Sequence, residues 1–329
     1  MFNNLVYFIL VLLIYSAYQP SDEFILPRWS NLALGLAFLL AYYVLVRTAF
    51  ARLRRQTDAF VQAKGNVSVA FHRLQMRFSI LAIVFFAINV YFLGFKDLIT
   101  MIPVVGRSVA LTGLAGVILF ALYLCLLWYE SFESYAWMYG SRLTRYRFVR
   151  NQLQINAPII LPWLLLSAVA DLITLMPQIG LKTWLDTAAG QIVFFLVFLG
   201  MLSVVFPVLV RFMWGLTPLP AGPHRSVIES FCAKTGFKYS EIMLWPLYEG
   251  EGLTAGVMGL IRRWRYILIT RSLLSILDED ELGAVLAHEL GHVKRHHLLF
   301  YLFFFIGYLV LAYSLFDLSF YILLSTDWT

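Results

Sequence analysis

Charged residues are scarce in this chain of 329 residues, since Asp, Glu, Lys and Arg together make up only 13%. Hydrophobic residues reach 61%, and the mean hydropathy is +0.78. Water-soluble domains carry about 25% charged and roughly 45–50% apolar residues. The composition therefore excludes a soluble protein and predicts that lipid surrounds most of the chain.

Cysteine is rarer still, with only Cys125 and Cys232 in the whole sequence. Two cysteines cannot build the disulfide framework that holds small secreted domains together. Because Cys125 also lies inside an apolar run, we interpret both cysteines as reduced thiols rather than metal ligands.

Long hydrophobic runs are abundant, and seven of them approach the roughly 20 residues that a helix needs to cross the hydrocarbon layer. The first run lacks a basic region and a small-residue cleavage site, so it is interpreted as an anchor rather than a signal peptide. The pattern predicts a multi-pass α-helical membrane protein of about seven spans. The predicted spans are residues 1–18, 32–49, 78–95, 109–128, 158–176, 191–211 and 298–316.

The basic residues predict how these spans are oriented. Counted through the chain, all but four of the 25 Lys and Arg residues fall on one side. Cytoplasmic loops carry an excess of Lys and Arg, so this side, which includes the polar stretch 215–297, is predicted to be cytoplasmic. The net charge of +6 therefore reports membrane orientation, and nothing in the sequence supports nucleic-acid binding. A bacterial inner membrane is the expected location. The four exceptions are Arg28, Lys96, Arg107 and Lys182.

An internal repeat lies within the hydrophobic part. Residues 97–106 (DLITMIPVVG) recur 74 positions later as residues 171–180 (DLITLMPQIG), which predicts a duplicated helical hairpin over residues 78–128 and 152–211. An acid in a spanning segment is a functional candidate by default. Because Asp97 and Asp171 recur at span ends before Pro103 and Pro177, we expect instead that each caps a short interfacial helix. A paired-carboxylate ion or proton site remains the alternative.

The polar segment is predicted to contain a short helix at residues 226–236 and a β-hairpin. Its two apolar runs, residues 252–261 and 264–270, are joined by Arg262 and Arg263 and have the β-branched and aromatic bias of strands. A further helix follows, with Asp278 as N-cap and Glu281 completing a capping box.

This last helix carries the strongest motif, His288-Glu289-Leu-Gly-His292. Residues four apart share a helix face, so both imidazoles can bind one Zn²⁺, while Glu289 lies beside them as general base for a metal-activated water. The spacing predicts zinc protease chemistry. We interpret His296 and His297, with Lys294 and Arg295, as a cationic cluster at the membrane interface.

Three segments resemble the integral-membrane zinc metallopeptidases of the HtpX and CAAX prenyl endopeptidase family: residues 254–259, 266–274 and 280–297. The resemblance covers about residues 219–299. It implies a gluzincin-like fold with one catalytic Zn²⁺ held by His288 and His292, and Glu289 as general base. It also implies that the strand of Thr254, Ala255, Gly256 and Val257 binds substrate backbone by strand addition, although the family usually has Asn at Thr254.

On this basis residues 1–213 are expected to form a six-span membrane domain, residues 214–297 a small cytoplasmic α+β metallopeptidase domain, and residues 298–329 a seventh span with an incomplete C-terminal part. The family takes its third zinc ligand from a Glu beyond the span that follows the motif. Here Glu289 is the last glutamate, and only Asp317 and Asp327 follow it. Three interpretations stay open: a truncated longer protease, a natural pseudoprotease, or completion of the site by Asp317 or another acid.

The expected function is a membrane-embedded zinc endopeptidase that cleaves membrane-associated or misfolded proteins near the cytoplasmic face. The expected partners are a protein or peptide substrate and the lipid bilayer. Two alternatives stay open. One is an inactive scaffold or transporter-like protein with a degenerate protease module, and the other is a sensor-transducer metallopeptidase.

Overall fold

The computed structural model describes residues 2–19, 28–59, 64–141, 143–176, 180–246 and 253–297, with scattered positions between 299 and 315. It divides into two compact units, Met1–Trp214 and Gly215–Thr329.

In its described part, the first unit consists of helices joined by turns and short irregular segments. Five of its segments are long and apolar enough to cross a membrane, namely Trp29–Arg55, Val67–Tyr91, Val109–Tyr139, Arg145–Leu175 and Ala189–Met213. The N-terminal helix has 16 residues, which gives about 24 Å, somewhat less than the ~30 Å hydrocarbon layer. Its helices are α1 (Phe2–Ala17), α2 (Arg28–Ala59), α3 (Lys64–Tyr91), α4 (Phe95–Thr100), α5 (Val109–Tyr139), α6 (Arg145–Asn156), α7 (Leu161–Leu175), α8 (Leu181–Leu185) and α9 (Ala188–Met213).

The prediction of a mostly helical multi-pass membrane protein with a small α+β unit is thus confirmed. Most of the predicted seventh span, residues 298–316, lies outside the described residues. The predicted fifth span is the second part of a longer helical segment, in which a 3₁₀ turn at Ala157–Ile160 joins α6 to α7.

Helix α5 lies at the centre of the first unit, where α1, α2, α3 and α7 pack against it. Its Tyr123 is fully buried and accepts a hydrogen bond of 2.9 Å from the amide of Asn89. Two glycines allow close approach. A Cβ on Gly113 would lie 2.1 Å from the ring of Trp163, and one on Gly116 would lie 2.7 Å from the ring of Tyr15.

The two aspartates of the repeat have different roles, so the expectation that each caps a short helix of its own connector is wrong. Asp171 lies within α7 and caps the start of α5 instead. Its carboxylate accepts from Ser108 Oγ at 2.6 Å, Val109 N at 2.7 Å and Ala110 N at 3.0 Å. Asp97 lies in the first turn of α4, whose N-cap residue is a glycine, and accepts from the Tyr18 hydroxyl at 2.5 Å. This difference arises from the tertiary structure, because the two carboxylates are contacted by different segments of the chain: Asp97 by Tyr18 and Asp171 by the start of α5.

The second unit is an α+β arrangement with a four-stranded sheet in the order β1-β2-β4-β3. Strands β2 and β4 are parallel, while β1 pairs with β2, and β3 with β4, in antiparallel fashion. The antiparallel β3–β4 pair confirms the predicted hairpin, and α10 confirms the predicted helix at residues 226–236. The elements are β1 (Thr217–Pro218), α10 (Pro223–Thr235), β2 (Glu241–Leu244), β3 (Ala255–Met258), β4 (Tyr266–Ile269), α11 (Arg271–Ile276) and α12 (Glu279–Lys294).

Candidate metal centre

Helix α12 is held at a defined position by its first turn and by one apolar face. Its predicted capping box is present, since Glu281 N donates to Asp278 Oδ1 at 2.8 Å and Asp278 N donates to Glu281 Oε2 at 3.1 Å. Leu282, Leu286 and Leu290 follow at four-residue spacing and are buried in the core of the second unit. Residues four apart share a helix face, so this stripe fixes which side of α12 is turned outward.

His288 and His292 lie on that outward side. Each comes two residues after a buried leucine, about 200° round the helix, and each is exposed. Their Nε2 atoms are 3.3 Å apart, with ring centroids separated by 4.8 Å. The structure therefore brings together the two imidazoles that the spacing predicted to share a face.

This separation suits a zinc ion. Zinc–nitrogen bonds are about 2.0–2.1 Å long in tetrahedral sites. Two nitrogens at that distance from one tetrahedral ion lie about 3.3 Å from each other, which is the observed separation of the Nε2 atoms. The two histidines therefore fit Zn²⁺ as two of its ligands.

Glu289 lies between the two histidines in sequence and is half-buried. It is displaced by about 100° from His288 and by about 60° from His292 around the helix. A carboxylate placed there is adjacent to the histidine pair rather than part of it. This is the position required of a base that takes a proton from water at the pair.

No third ligand is present in the described part of the chain, where no group of three or more His, Cys, Asp or Glu side chains could hold a metal ion. Asp317 and Asp327 lie outside the described residues. Cys232 is not available as a ligand, because it is buried in the core of this unit. Burial, with a smaller contribution from Glu229, raises the pKa of its thiol to about 11.

The predicted substrate-binding strand lies at an edge of the described sheet. Strand β3 pairs with β4 on one side only, and it packs against α12. Ala255 and Val257 turn their side chains toward the core that contains the α12 leucines. The carbonyl of Thr254 accepts from Thr270 N at 3.1 Å and from Thr270 Oγ1 at 3.2 Å. The Thr254 carbonyl is therefore already hydrogen-bonded within the second unit.

From the sequence, His297 was expected to belong to a cationic cluster at the membrane interface. Its Nδ1 lies 2.7 Å from Nδ1 of His292, so it belongs to the histidine group. The Lys294 Nζ atom donates a hydrogen bond of 2.7 Å to the carbonyl of Thr235, and the cationic cluster at the membrane interface stays a prediction. The sequence offered one signal for this arrangement, namely the histidines at the helix end. Histidine is one of the few residue types that tolerate a left-handed backbone conformation.

Comparisons with known proteins match the part of the chain that contains these histidines. The model of Peptidase family M48 matches residues 219–326. The CAAX prenyl protease 1 homolog of Arabidopsis thaliana is 32% identical over 103 residues, which are 29% of this chain and 23% of that protein. Protease HtpX of Pseudomonas fluorescens is 32% identical over 72 residues, which are 21% of this chain and 22% of that protein. The Protease HtpX homolog of Thermoplasma volcanium is 66% identical over 32 residues, 10% of each chain.

Among solved structures, the crystal structure of S. mikatae Ste24p is similar with a TM-score of 0.45 and 19% identity, over 88% of this chain and 72% of that one. The chain spans less than a quarter of the length of these curated relatives. The matched part includes the capped helix and both histidines. Residues 219–326 thus match the model of Peptidase family M48, and this part of the chain resembles the CAAX prenyl and HtpX proteases, as the sequence predicted.

Proposed function

We propose that the protein is a membrane-embedded zinc-dependent endopeptidase that cleaves membrane-associated or misfolded proteins. The observation that carries the proposal is the 3.3 Å separation of the His288 and His292 Nε2 atoms on the exposed side of α12, beside an edge strand. The five apolar helices of the first unit make it an integral membrane protein, which supports a substrate at or near the bilayer.

His288 and His292 would hold the zinc ion through Nε2. Bound zinc supplies a Lewis acid and lowers the pKa of water at the site to about 7. Glu289 accepts the proton of the attacking water and delivers it to the leaving amine of the cleaved peptide. The third protein ligand that catalytic zinc sites normally have is to be sought outside the described residues.

The edge strand suggests how the substrate is held. In an antiparallel pair, successive residues direct their N–H and C=O groups alternately toward the partner strand and away from it. Because Thr254 bonds to Thr270 on the β4 side, Gly256 also faces β4, whereas Ala255 and Val257 direct their backbone groups outward. An extended peptide can add there as a fifth strand, with its backbone running next to α12.

The proposed orientation places the second unit in the cytoplasm. It is supported by the distribution of basic residues, which concentrates Lys and Arg in the loops on the same side as residues 215–297. Cleavage is then expected close to the cytoplasmic face of a bacterial inner membrane.

The test is cleavage of fluorescently labelled casein and of a membrane-anchored version of it by the purified full chain in nanodiscs, with and without added zinc. Glu289→Gln keeps the shape of the site and removes the base, so we expect the rate to fall at least a hundredfold with zinc binding retained. Glu279→Gln, in the first turn of the same helix, is the matched control and should cleave as the parent does. Equal cleavage by the parent and Glu289→Gln would refute the proposal, and no cleavage by either would favour the inactive scaffold.

The strand-addition step has its own test. Val257→Pro removes an outward-facing N–H, and proline is tolerated on an edge strand where that N–H faces away from the sheet. One backbone hydrogen bond is worth about 1 kcal/mol, so we expect kcat/KM to fall roughly five- to tenfold. Val257→Thr keeps both the N–H and the side-chain shape, and it should retain most activity. If the two variants cleave equally well, substrate does not pair with this edge.

A further inference from the structure

The end of helix α12 has an unusual backbone conformation. The helix ends at Lys294, and His296 has φ = +54°, the single positive φ at a residue other than glycine within the described part of the chain. Left-handed backbone is unfavourable for residues with a Cβ, although histidine tolerates it better than most. The turn is closed by His296 N, which donates to Val293 O at 3.1 Å. The regular α-helical path is therefore interrupted at this residue.

This interruption changes which histidine lies next to His292. If α12 continued straight, His296 would be the residue one turn beyond His292 on the same face. The left-handed turn instead brings His297 to His292, with 2.7 Å between their Nδ1 atoms, ring centroids 4.9 Å apart and an interplanar angle of 66°. His297 is half-buried, so its ring is partly shielded from solvent.

His292 consequently has a contact at each ring nitrogen. Nε2 lies 3.3 Å from Nε2 of His288, and Nδ1 lies 2.7 Å from Nδ1 of His297. A neutral histidine that binds a metal through Nε2 carries its proton on Nδ1 and can donate it to an acceptor. Such outer partners of metal-binding histidines fix the ring orientation and the tautomer. Among the described residues, Nδ1 of His297 lies at hydrogen-bond distance from this atom and can accept the proton, and the proton of His297 is then on Nε2.

We propose that His297 is a positioning residue, which accepts the Nδ1–H of His292 and holds that ring with Nε2 directed toward the zinc ion. The inference rests on the proposed function, because it takes His288 and His292 as ligands. The left-handed turn at His296 places the accepting Nδ1 atom of His297 next to His292. The end of the helix therefore supports the metal site directly.

The experiment measures binding of zinc and cobalt by the purified full chain, without any activity assay. Zinc affinity is determined by competition with a chromophoric chelator, and the visible absorption of the cobalt-loaded chain reports the geometry around the metal. Four variants are compared: His297→Ala, His297→Phe, His297→Asn and His296→Gly. Thermal unfolding of each apo chain shows which variants are folded.

We expect His297→Ala and His297→Phe to bind zinc 10- to 100-fold more weakly and to change the cobalt spectrum. The Asn Oδ1 atom can accept in place of Nδ1, so His297→Asn should restore affinity to within about threefold of the parent. His296→Gly keeps His297 and suits the left-handed turn, so it is the matched control and should bind as the parent does.

Two results would overturn the inference. One is parental zinc affinity and a parental cobalt spectrum in His297→Ala. The other is an equal loss in the folded Ala and Asn variants, because a purely steric role does not distinguish an acceptor. A failure of the proposed function itself gives a different result. The parent chain would then bind zinc no more tightly than the double variant that carries both His288→Ala and His292→Ala.

Discussion

Replacement of Asp171 by alanine is expected to destabilise the membrane unit, because this carboxylate joins α7 to the start of α5. It accepts from the Ser108 hydroxyl and from the backbone N–H groups of Val109 and Ala110, at 2.6, 2.7 and 3.0 Å. The first N–H groups of a helix have no partner within the helix. Without the carboxylate, the N–H groups of Val109 and Ala110 lose their acceptor.

The magnitude follows from two contributions. Loss of a capping side chain costs about 1 kcal/mol. Loss of a negative charge at a helix N-terminus costs roughly 0.3–1 kcal/mol, and more where it is partly buried. The expected total is about 2 kcal/mol. A domain of roughly 200 residues changes its Tm by about 2–4 °C per kcal/mol, so Tm should fall by roughly 4–8 °C.

The assay is thermal unfolding of the purified full chain in detergent, followed by size-exclusion chromatography of what remains folded. Asp171→Asn keeps one acceptor oxygen but not the charge, so it should fall between the parent and the alanine variant. Asp186→Ala removes an exposed aspartate of the same region and is the control. In a double-mutant cycle, Ser108→Ala should cost less in the Asp171→Ala background than in the parent.

An unchanged Tm in Asp171→Ala would refute this reasoning. If the protein then also lost ion or proton movement across liposomes, the carboxylate would belong to a transport site, which was the alternative interpretation of the repeat.

Three further outcomes are expected. In a Cys125→Ser background, Cys232 should resist iodoacetamide at pH 7.5 until the protein is unfolded, since burial raises its pKa to about 11. Because this pKa is raised above the ordinary value of 9.0, ionisation of the thiol favours the unfolded state. The contribution of Cys232 to the stability measured by urea unfolding should therefore be constant below about pH 9 and decline between about pH 9 and 11. Asp278→Ala removes the capping box of α12 and should lower the stability of the second unit by about 1 kcal/mol in the same urea assay. Gly113→Ala should lower the Tm of the first unit markedly, because the new Cβ would lie 2.1 Å from the ring of Trp163, and overpacking costs roughly 1–3 kcal/mol.

Local features of the chain could be predicted well because their causes are local. The apolar runs that predicted the spans are helices over most of the first unit. The capping box and the hairpin joined by Arg262 and Arg263 are present where the residue types placed them. Each depends on groups a few residues apart, so the sequence contains the whole interaction.

Contacts between distant segments could not be predicted in the same way. The repeat gave Asp97 and Asp171 the same local surroundings in sequence, yet one contacts Tyr18 and the other caps α5. The role of His297 was missed for a different, local reason. A straight extension of α12 predicts His296 on the shared face, and only a single left-handed residue changes that result.

By itself the sequence determined that the chain lies in a membrane and that His288 and His292 share one face of a capped helix, because composition decides the solvent and helical periodicity decides the face. The tertiary structure decided which groups complete these features: the α5 helix end for Asp171, the β3 edge beside α12, and His297 for His292. The first two depend on how segments that are distant in the chain pack together, and the third depends on one backbone angle that helical periodicity does not predict.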